Sequence, residues 1–423
     1  QEILLKRIAR RPRPAIAAEV RSPLRIALTG VRRPLPALGI GSASHGQPLT
    51  VREVARLGAL RFAHLRTEVR LGRADWLEVL KLAQQQSAQL RIPLELAVHL
   101  PAQGGARELD ELVHQLRAGV AAVARFLLFR AGEKTASAAS LALAHTRLTP
   151  LGVPIGAGTD ADFYQLNQFR PPHEQADFVH WSMNPQVHAF DLPSIAETPA
   201  AVAAQLESAR MFFPNKPLVV SPVTFKPRFN PVATAREKPP APEDLPQPVD
   251  SRQLSPFVAA WTMAMIKHLA EKGAASVTFF ETTGWQGVME RESGSPLPSR
   301  FPSQPGQVFP AYYSFGALGA FAGGEVIFTH SSDPLRVESI ALANEDSTCL
   351  WLANLTAIRQ TAIVAGFTRV THRLDFDFSP GGRWQFEPDS ILRSIGSELA
   401  PAAEHELPIE LAPFGLVRLE LRP

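Results

Sequence analysis

The sequence predicts an α/β protein in which a (β/α)8 TIM barrel is followed by a C-terminal antiparallel β-sandwich-like domain. Three observations carry that expectation. Strand-like runs alternate with amphipathic helices across residues 34–324, at the period a βα unit requires. From Glu325 the apolar period changes to two, in short runs with turn residues between them. Finally, the β-branched and aromatic run Val277-Thr-Phe-Phe280 leads straight into Glu281, Thr282, Thr283, Gly284 and Trp285, as a buried parallel strand does when its tip faces a ligand.

Taken in order, residues 1–33 hold two apolar runs, Ile3 to Leu5 and Leu24 to Leu28, which read as strands of a preceding β-domain and are candidates to join the C-terminal one. The first barrel strand spans Leu35 to Ser44, and Thr50 caps a short helix from Val51. Leu60 to Leu71, Leu94 to Leu100, Val123 to Arg130 and Val153 to Asp160 supply strands two to five, with helices Ala74 to Leu90, Glu108 to Val120 and Ala136 to Leu148 between them. Phe178 to Asn184 and Leu218 to Thr224 are strands six and seven, separated by a helix from Ile195 to Met211. The segment from Phe225 to Pro256 is too long for a routine βα loop and too polar for a core, so it is either a wall over the barrel mouth or a surface loop. A helix from Phe257 to Glu271, the eighth strand ending at Glu281, and a last helix from Tyr312 to Ala322 complete the barrel. An open doubly wound sheet is the alternative, but Gly39-Ile-Gly41 lacks the third glycine and acidic partner of a dinucleotide turn.

Composition narrows the classes of function. The formal charge of +3 is small and the arginines are scattered among acids, so nucleic acid is not an expected partner. No window approaches the apolar length of a membrane span. The single cysteine, Cys349, rules out an internal disulfide within these residues and a thiolate zinc site, and fits a reducing compartment.

Strand alternation then nominates a site. On the second strand Leu65 must meet the helices, so His64, Arg66 and Glu68 face inward; the same reasoning places Glu95 and His99 inside on the third and His180, Ser182 and Asn184 inside on the sixth. Strand four ends in Arg130, strand five in Asp160, and strand seven runs into Thr224, Lys226 and Arg228. Polar groups from six strands thus converge on the C-terminal rim around Glu281, with Trp285 as an aromatic plate suited to a polyhydroxylated substrate. A metal held by His64, His99 and His180 with Asp160 or Glu281 is not excluded, but no paired-histidine spacing marks one, and no cofactor is expected.

Two chemistries compete. A carboxylate pair, Asp160 with Glu281, would serve a glycoside hydrolase, although strand four ends Phe-Arg where the large clan of retaining barrel glycosidases carries Asn-Glu. Lactone or ester hydrolysis needs a base for water, cationic or hydrogen-bond donors for the oxyanion and an acid for the leaving alkoxide, which the arginines and histidines suit better. A carbohydrate-binding protein without turnover is a third possibility, disfavoured by so many inward ionisable groups.

Two long motifs sharpen this. Asn184-Pro-Gln-Val-His188-Ala-Phe-Asp191 and Ser221-Pro-Val-Thr-Phe-Lys226-Pro-Arg228-Phe-Asn230-Pro, with the later Trp351-Leu-Ala-Asn-Leu-Thr356, resemble the bacterial D-apionate lactonase family across the barrel and the C-terminal β-domain. The resemblance implies a cytoplasmic hydrolase of apiose catabolism that opens the lactone of a branched sugar acid, and a further β-domain ahead of the barrel, of which residues 1–33 would be the tail. It adds interest to Asn184, His188, Lys226 and Arg228. The mechanism expected here has Glu281 as base, Arg66 with His64 or His180 at the oxyanion, and Asp160 or a histidine returning the proton.

Overall fold

A computed structural model describes residues 23–231, 240–367, 369–376, 378–379, 381–394, 396–399 and 406–422. Eight parallel strands close a barrel: β2 (Ala37–Gly41), β3 (His64–Arg70), β4 (Leu94–Leu100), β5 (Val123–Arg130), β6 (Ile155–Gly158), β7 (Phe178–Met183), β8 (Leu218–Val223) and β9 (Ser276–Glu281). Around them run α1 (Val51–Ala59), α2 (Trp76–Leu90), α3 (Ala106–Ala118), α4 (Ala138–Leu148), the short α5 (Phe163–Gln168) and α6 (Leu192–Ala196), α7 (Thr198–Phe212), α8 (Pro256–Glu271) and α9 (Ala311–Gly319). Thr50 starts α1 with a reciprocal cap: its hydroxyl accepts from Glu53 N at 3.2 Å, and the Glu53 carboxylate accepts from Thr50 N at 2.8 Å. Strand five of the barrel stops at Gly158, so Asp160 sits in the loop beyond it rather than on the strand.

The strand preceding the barrel, β1 (Leu24–Pro34), leaves it and joins the C-terminal domain, pairing antiparallel with β10 (Glu325–Ser331) and parallel with β13 (Gln360–Ala365). With β11 (Val337–Ala343), β12 (Thr348–Asn354), β14 (Arg369–Phe376), β15 (Ser397–Glu398), β16 (Glu406–Leu411) and β17 (Leu416–Arg422) they make one nine-stranded sheet. Its two ends share a core: Ile409 and Leu411 from one side and Val417 and Leu419 from the other belong to the same buried cluster, so the sheet curls over itself like a sandwich. Cys349 lies buried in β12. The run Ile3 to Leu5 lies outside the described residues.

Helix α8 is apolar nearly all round because it is covered twice, by the barrel and by the β-domain. Its one buried cation, Lys267, reaches Glu338 of β11 at 2.9 Å, and His268 reaches the same carboxylate at 3.0 Å. Burial opposes ionisation of Glu338, yet these two partners hold it below the usual carboxylate range. The described part of the long segment after β8 folds back against the mouth, with Val249 packed in a small cluster with Phe301 and Phe309. Residues 232–239 of that segment lie outside the described residues. No helix among the described residues is long and apolar enough to cross a membrane.

Candidate active site

The barrel interior is filled in two tiers. In the lower one Ala97, Leu127, Phe129, Phe178 and Val219 pack together around a buried polar knot. Glu95 accepts from Ser221 and, at 3.0 Å, from Thr278, and lies 3.4 Å from His64 and 3.5 Å from Arg125. His64 fits only because residue 39 is glycine, since a Cβ there would lie 2.0 Å from its Nε2. His180 is fully buried nearby, with Phe129 set edge-on at 5.0 Å. Burial, above all, pushes both imidazoles down to about 4, so they are neutral at pH 7.

Phe129 is the partition. Its other side stacks on His99 at 4.6 Å, and above it opens a cavity of about 940 Å³ at the C-terminal strand ends. Arg66, Glu68, His99, Asp160, Arg228 and Glu281 all line it. Arg228 bonds both Glu68 and Asp160. Arg66 lies 3.1 Å from Glu68 and 3.7 Å from Asp160, and Arg70 lies 2.8 Å from Glu68. Against burial, which pushes its carboxyl up, Arg228, Arg66, His99 and Arg70 hold Glu68 well below the ordinary range. Three guanidiniums facing two carboxylates leave one positive charge over, before Glu281 is considered.

Glu281 differs from the other two acids. Burial lifts its carboxyl to about 7, only partly countered by the hydrogen bond it accepts from Ser44 N at 2.8 Å. Backbone geometry puts it there. Ile40 pairs with Phe279 but Gly41 pairs with Glu281, so Phe280 is an extra residue in the ladder, held at φ 46°. Thr278 points into the barrel; simple alternation would turn Glu281 out toward the helices, and the bulge turns it back. A side chain at residue 41 would place a Cβ 2.6 Å from Phe280 O, which glycine avoids.

Other nominated residues lie elsewhere. His64 and His180 sit below the Phe129 partition, not in the cavity, so the histidine metal set does not assemble. Arg130 only edges the cavity: it falls on the outward alternate of β5, where its guanidinium meets Ser140 at 2.7 Å and the carbonyls of Pro101 and Gly104. Asn184 accepts from Gln186 N at 3.2 Å and pins its own loop, while His188 is exposed. Lys226 donates to Val249 O at 3.3 Å. Trp285 donates to Ser295 at 3.0 Å and packs against Phe301, away from the main cavity. Arg70, Phe129 and Lys134 are among the cavity residues that lie outside the set nominated from the sequence. Arg70 simply continues the spacing of His64, Arg66 and Glu68; Lys134, on a loop, carries no periodic signal.

Donor atoms of Glu68, His99 and Asp160 lie within 4.8 Å of one another, close enough to share a metal ion. The Arg228 guanidinium already bonds both carboxylates, and Arg66 and Arg70 flank them. A cation here would have to displace one arginine and be repelled by two others, so the donor set fits an arginine-balanced anion site better than a metal centre.

Residues 38–323 match the family described as the D-apionate lactonase TIM barrel domain. A D-apionate lactonase of Brucella anthropi is 28% identical over 218 residues, which is 51% of this chain and 34% of that protein's length. The match thus spans about a third of the curated relative. Among solved structures, a GH51 arabinofuranosidase from Xanthomonas axonopodis pv. citri superposes with TM-score 0.66 at 11% identity, covering 94% of this chain and 99% of the other. A GH30 endoxylanase from Clostridium papyrosolvens gives 0.58 at 10% identity, covering 95% and 100%. Likeness at such identity shows the fold.

Proposed function

The chain belongs to the D-apionate lactonase TIM barrel family, and from that premise we propose that its cavity hydrolyses a sugar-acid lactone, D-apionolactone to D-apionate, as a step of apiose catabolism. The observation that carries the reading is Glu281, a carboxyl poised at about 7 on the cavity wall beside guanidinium groups.

The steps follow from that placement. Water is bound between Glu281 and the lactone carbonyl; its oxygen attacks C1 while the Glu281 carboxylate takes its proton. The C1 oxyanion is met by the surplus positive charge of Arg66 and Arg228. Collapse breaks the bond from C1 to the ring oxygen, and Glu281, now protonated, gives its proton to that leaving oxygen. Water is consumed, and the hydroxy acid leaves as its carboxylate, its carboxyl proton passing to solvent. One residue serves as base and then acid, which a carboxyl near neutrality does well. Asp160, bonded by Arg228, orients that guanidinium instead of carrying the proton. Burial, first of all, pushes His99 down to about 4, so at neutral pH it is an uncharged hydrogen-bonding group and not the acid.

The test is turnover by purified protein of a panel of aldonolactones and aryl glycosides. Hydrolysis of D-apionolactone with aryl glycosides untouched supports the reading. Cleavage of glycosides with lactones untouched would replace it by a glycosidase in which Asp160 and Glu281 form the carboxylate pair.

A further inference from the structure

The carboxylate on which the proposed chemistry turns is held by a loop. Ser44 N donates to Glu281 Oε2 at 2.8 Å, closer than the Gln286 side chain, whose Nε2 lies 3.4 Å from Oε1. Hydrogen bonds that favour the ionised form set how readily such a carboxyl gives up its proton. Yet Ser44, Gly46, Gln47 and Pro48 are all exposed, on the stretch between β2 and α1, and a loop amide left to itself would turn to water.

Side-chain hydrogen bonds anchor this loop on either side of Ser44. The Ser42 hydroxyl meets that of Thr67 on β3, and Gln47 O accepts from Gln86 of α2 at 3.2 Å. Neither contact reaches the segment that follows Glu281. His45 does, its Nε2 lying 2.9 Å from Thr283 Oγ1. Gln47 N donates to His45 Nδ1 at 3.1 Å, so Nδ1 is the bare nitrogen and Nε2 carries the proton given to Thr283. Thr283 is buried, and the ring lies against Gly284, where φ is +85° and a Cβ would come within 3.1 Å of His45 Cδ2. Thr283 and Gly284 thus form a socket for the imidazole just beyond the strand that carries the base.

We propose that His45 is a positioning residue for the base: by pinning the loop after β2 to Thr283, it holds the Ser44 N–H on the Glu281 carboxylate. The inference rests on the lactonase reading for the role of Glu281. His45 does not line the cavity and acts through Ser44. Burial first, and then Arg291 of the loop after β9, push its imidazole down to about 4, so it stays neutral across the range in which Glu281 titrates. The charged groups facing Glu281 are Glu68 from β3 and Arg228 from the loop after β8, which act in opposite senses and are the same in every variant below. Without the pin, the ionised form of Glu281 loses its closest donor, and its proton is held to higher pH.

The test is kcat/KM for D-apionolactone from pH 5.5 to pH 8.5, corrected for spontaneous ring opening, in wild type, His45→Ala, His45→Gln and Thr283→Val. His45→Ala should move the rising limb up by about one pH unit, so that the rate falls about tenfold at pH 6 and less than about twofold at pH 8.5. Thr283→Val should do the same, and it carries the test should the alanine variant not fold. His45→Gln, whose amide can donate from the position of Nε2, should return the limb to within about 0.3 of a pH unit of wild type. A limb that stays in place, with no loss or with the same loss at every pH, overturns the proposal, as does a glutamine variant displaced as far as the alanine one. If no lactone is hydrolysed, the lactonase reading has failed, and carbon-13 NMR titration of the glutamate carboxyls decides the positioning role without turnover, the Glu281 signal being assigned by its loss in Glu281→Gln. A Glu281 midpoint about one pH unit higher in His45→Ala than in wild type upholds it, and equal midpoints overturn it.

Discussion

Replacing Glu281 by glutamine should stabilise the protein while disabling it. An ordinary glutamate titrates at 4.5, and burial lifts Glu281 to about 7 in the folded state. At ~1.4 kcal/mol per pH unit this amounts to ~3 kcal/mol, and contact with cavity water brings the working figure to about 2 kcal/mol. The sign follows from which state loses its proton first. Below pH 4.5 the carboxyl is protonated folded and unfolded, and nothing is lost. Between there and pH 7 the unfolded chain ionises while the folded one resists, so stability falls as pH rises, and above about 7 the deficit is constant. Glutamine escapes this and still accepts from Ser44 N. Urea unfolding at pH 4 and pH 8 measures it: the variant should gain about 2 kcal/mol on wild type between the two conditions. A stability difference that does not change with pH would refute the claim that Glu281 is a strained, buried carboxyl.

Other substitutions separate the site from its supports. Arg228→Met removes the guanidinium that bonds both Glu68 and Asp160, leaving Arg66 and Arg70 to balance them without a surplus, and should cost about 2 kcal/mol of stability and roughly a hundredfold in kcat/KM; near-normal turnover would remove Arg228 from oxyanion stabilisation. Glu338→Gln breaks the buried contacts to Lys267 and His268, so thermal unfolding should show a loss of about 2 kcal/mol with KM unchanged. Because the folded protein holds Glu338 below the ordinary range, that contribution is present above pH 4.5 and fades as pH falls further. His188→Ala and Trp285→Phe should each leave kcat/KM within about twofold, since neither side chain lines the main cavity. Chelator should leave turnover unchanged; loss of activity restored by a divalent cation would mean that a metal displaces Arg228 from Glu68 and Asp160.

The strength of sequence reasoning here was periodicity, and its failures fall where periodicity stops. On β3, alternation around Leu65 suffices to send His64, Arg66 and Glu68 inward. It cannot say how deep each lies, and depth separates Arg66 in the cavity from His64 beneath it. On β5, attention to the terminal residue picked Arg130, although counting from Arg125 through Leu127 puts Phe129 on the inner face and Arg130 outside. Glu281 is the reverse case: it reaches the cavity through a bulge at Phe280 that no periodic rule anticipates. Trp285, Lys226, Asn184 and His188 follow strand ends in chain order, but their loops turn away to bond Ser295, Val249 and Gln186 or to meet solvent. The pairing of Arg228 with both Glu68 and Asp160 joins strand β3 to the loops after β6 and β8 and has no local signature.

The most direct test of the account is the pH dependence of kcat/KM for D-apionolactone in wild type and Glu281→Gln. Because the base is the ionised form, the wild-type rate should climb with pH and level off through an apparent pKa near 7, while the variant, slower by about a hundredfold to ten-thousandfold, should show no such limb. A limb of the same shape and position in both proteins would assign the base to another residue and contradict the mechanism.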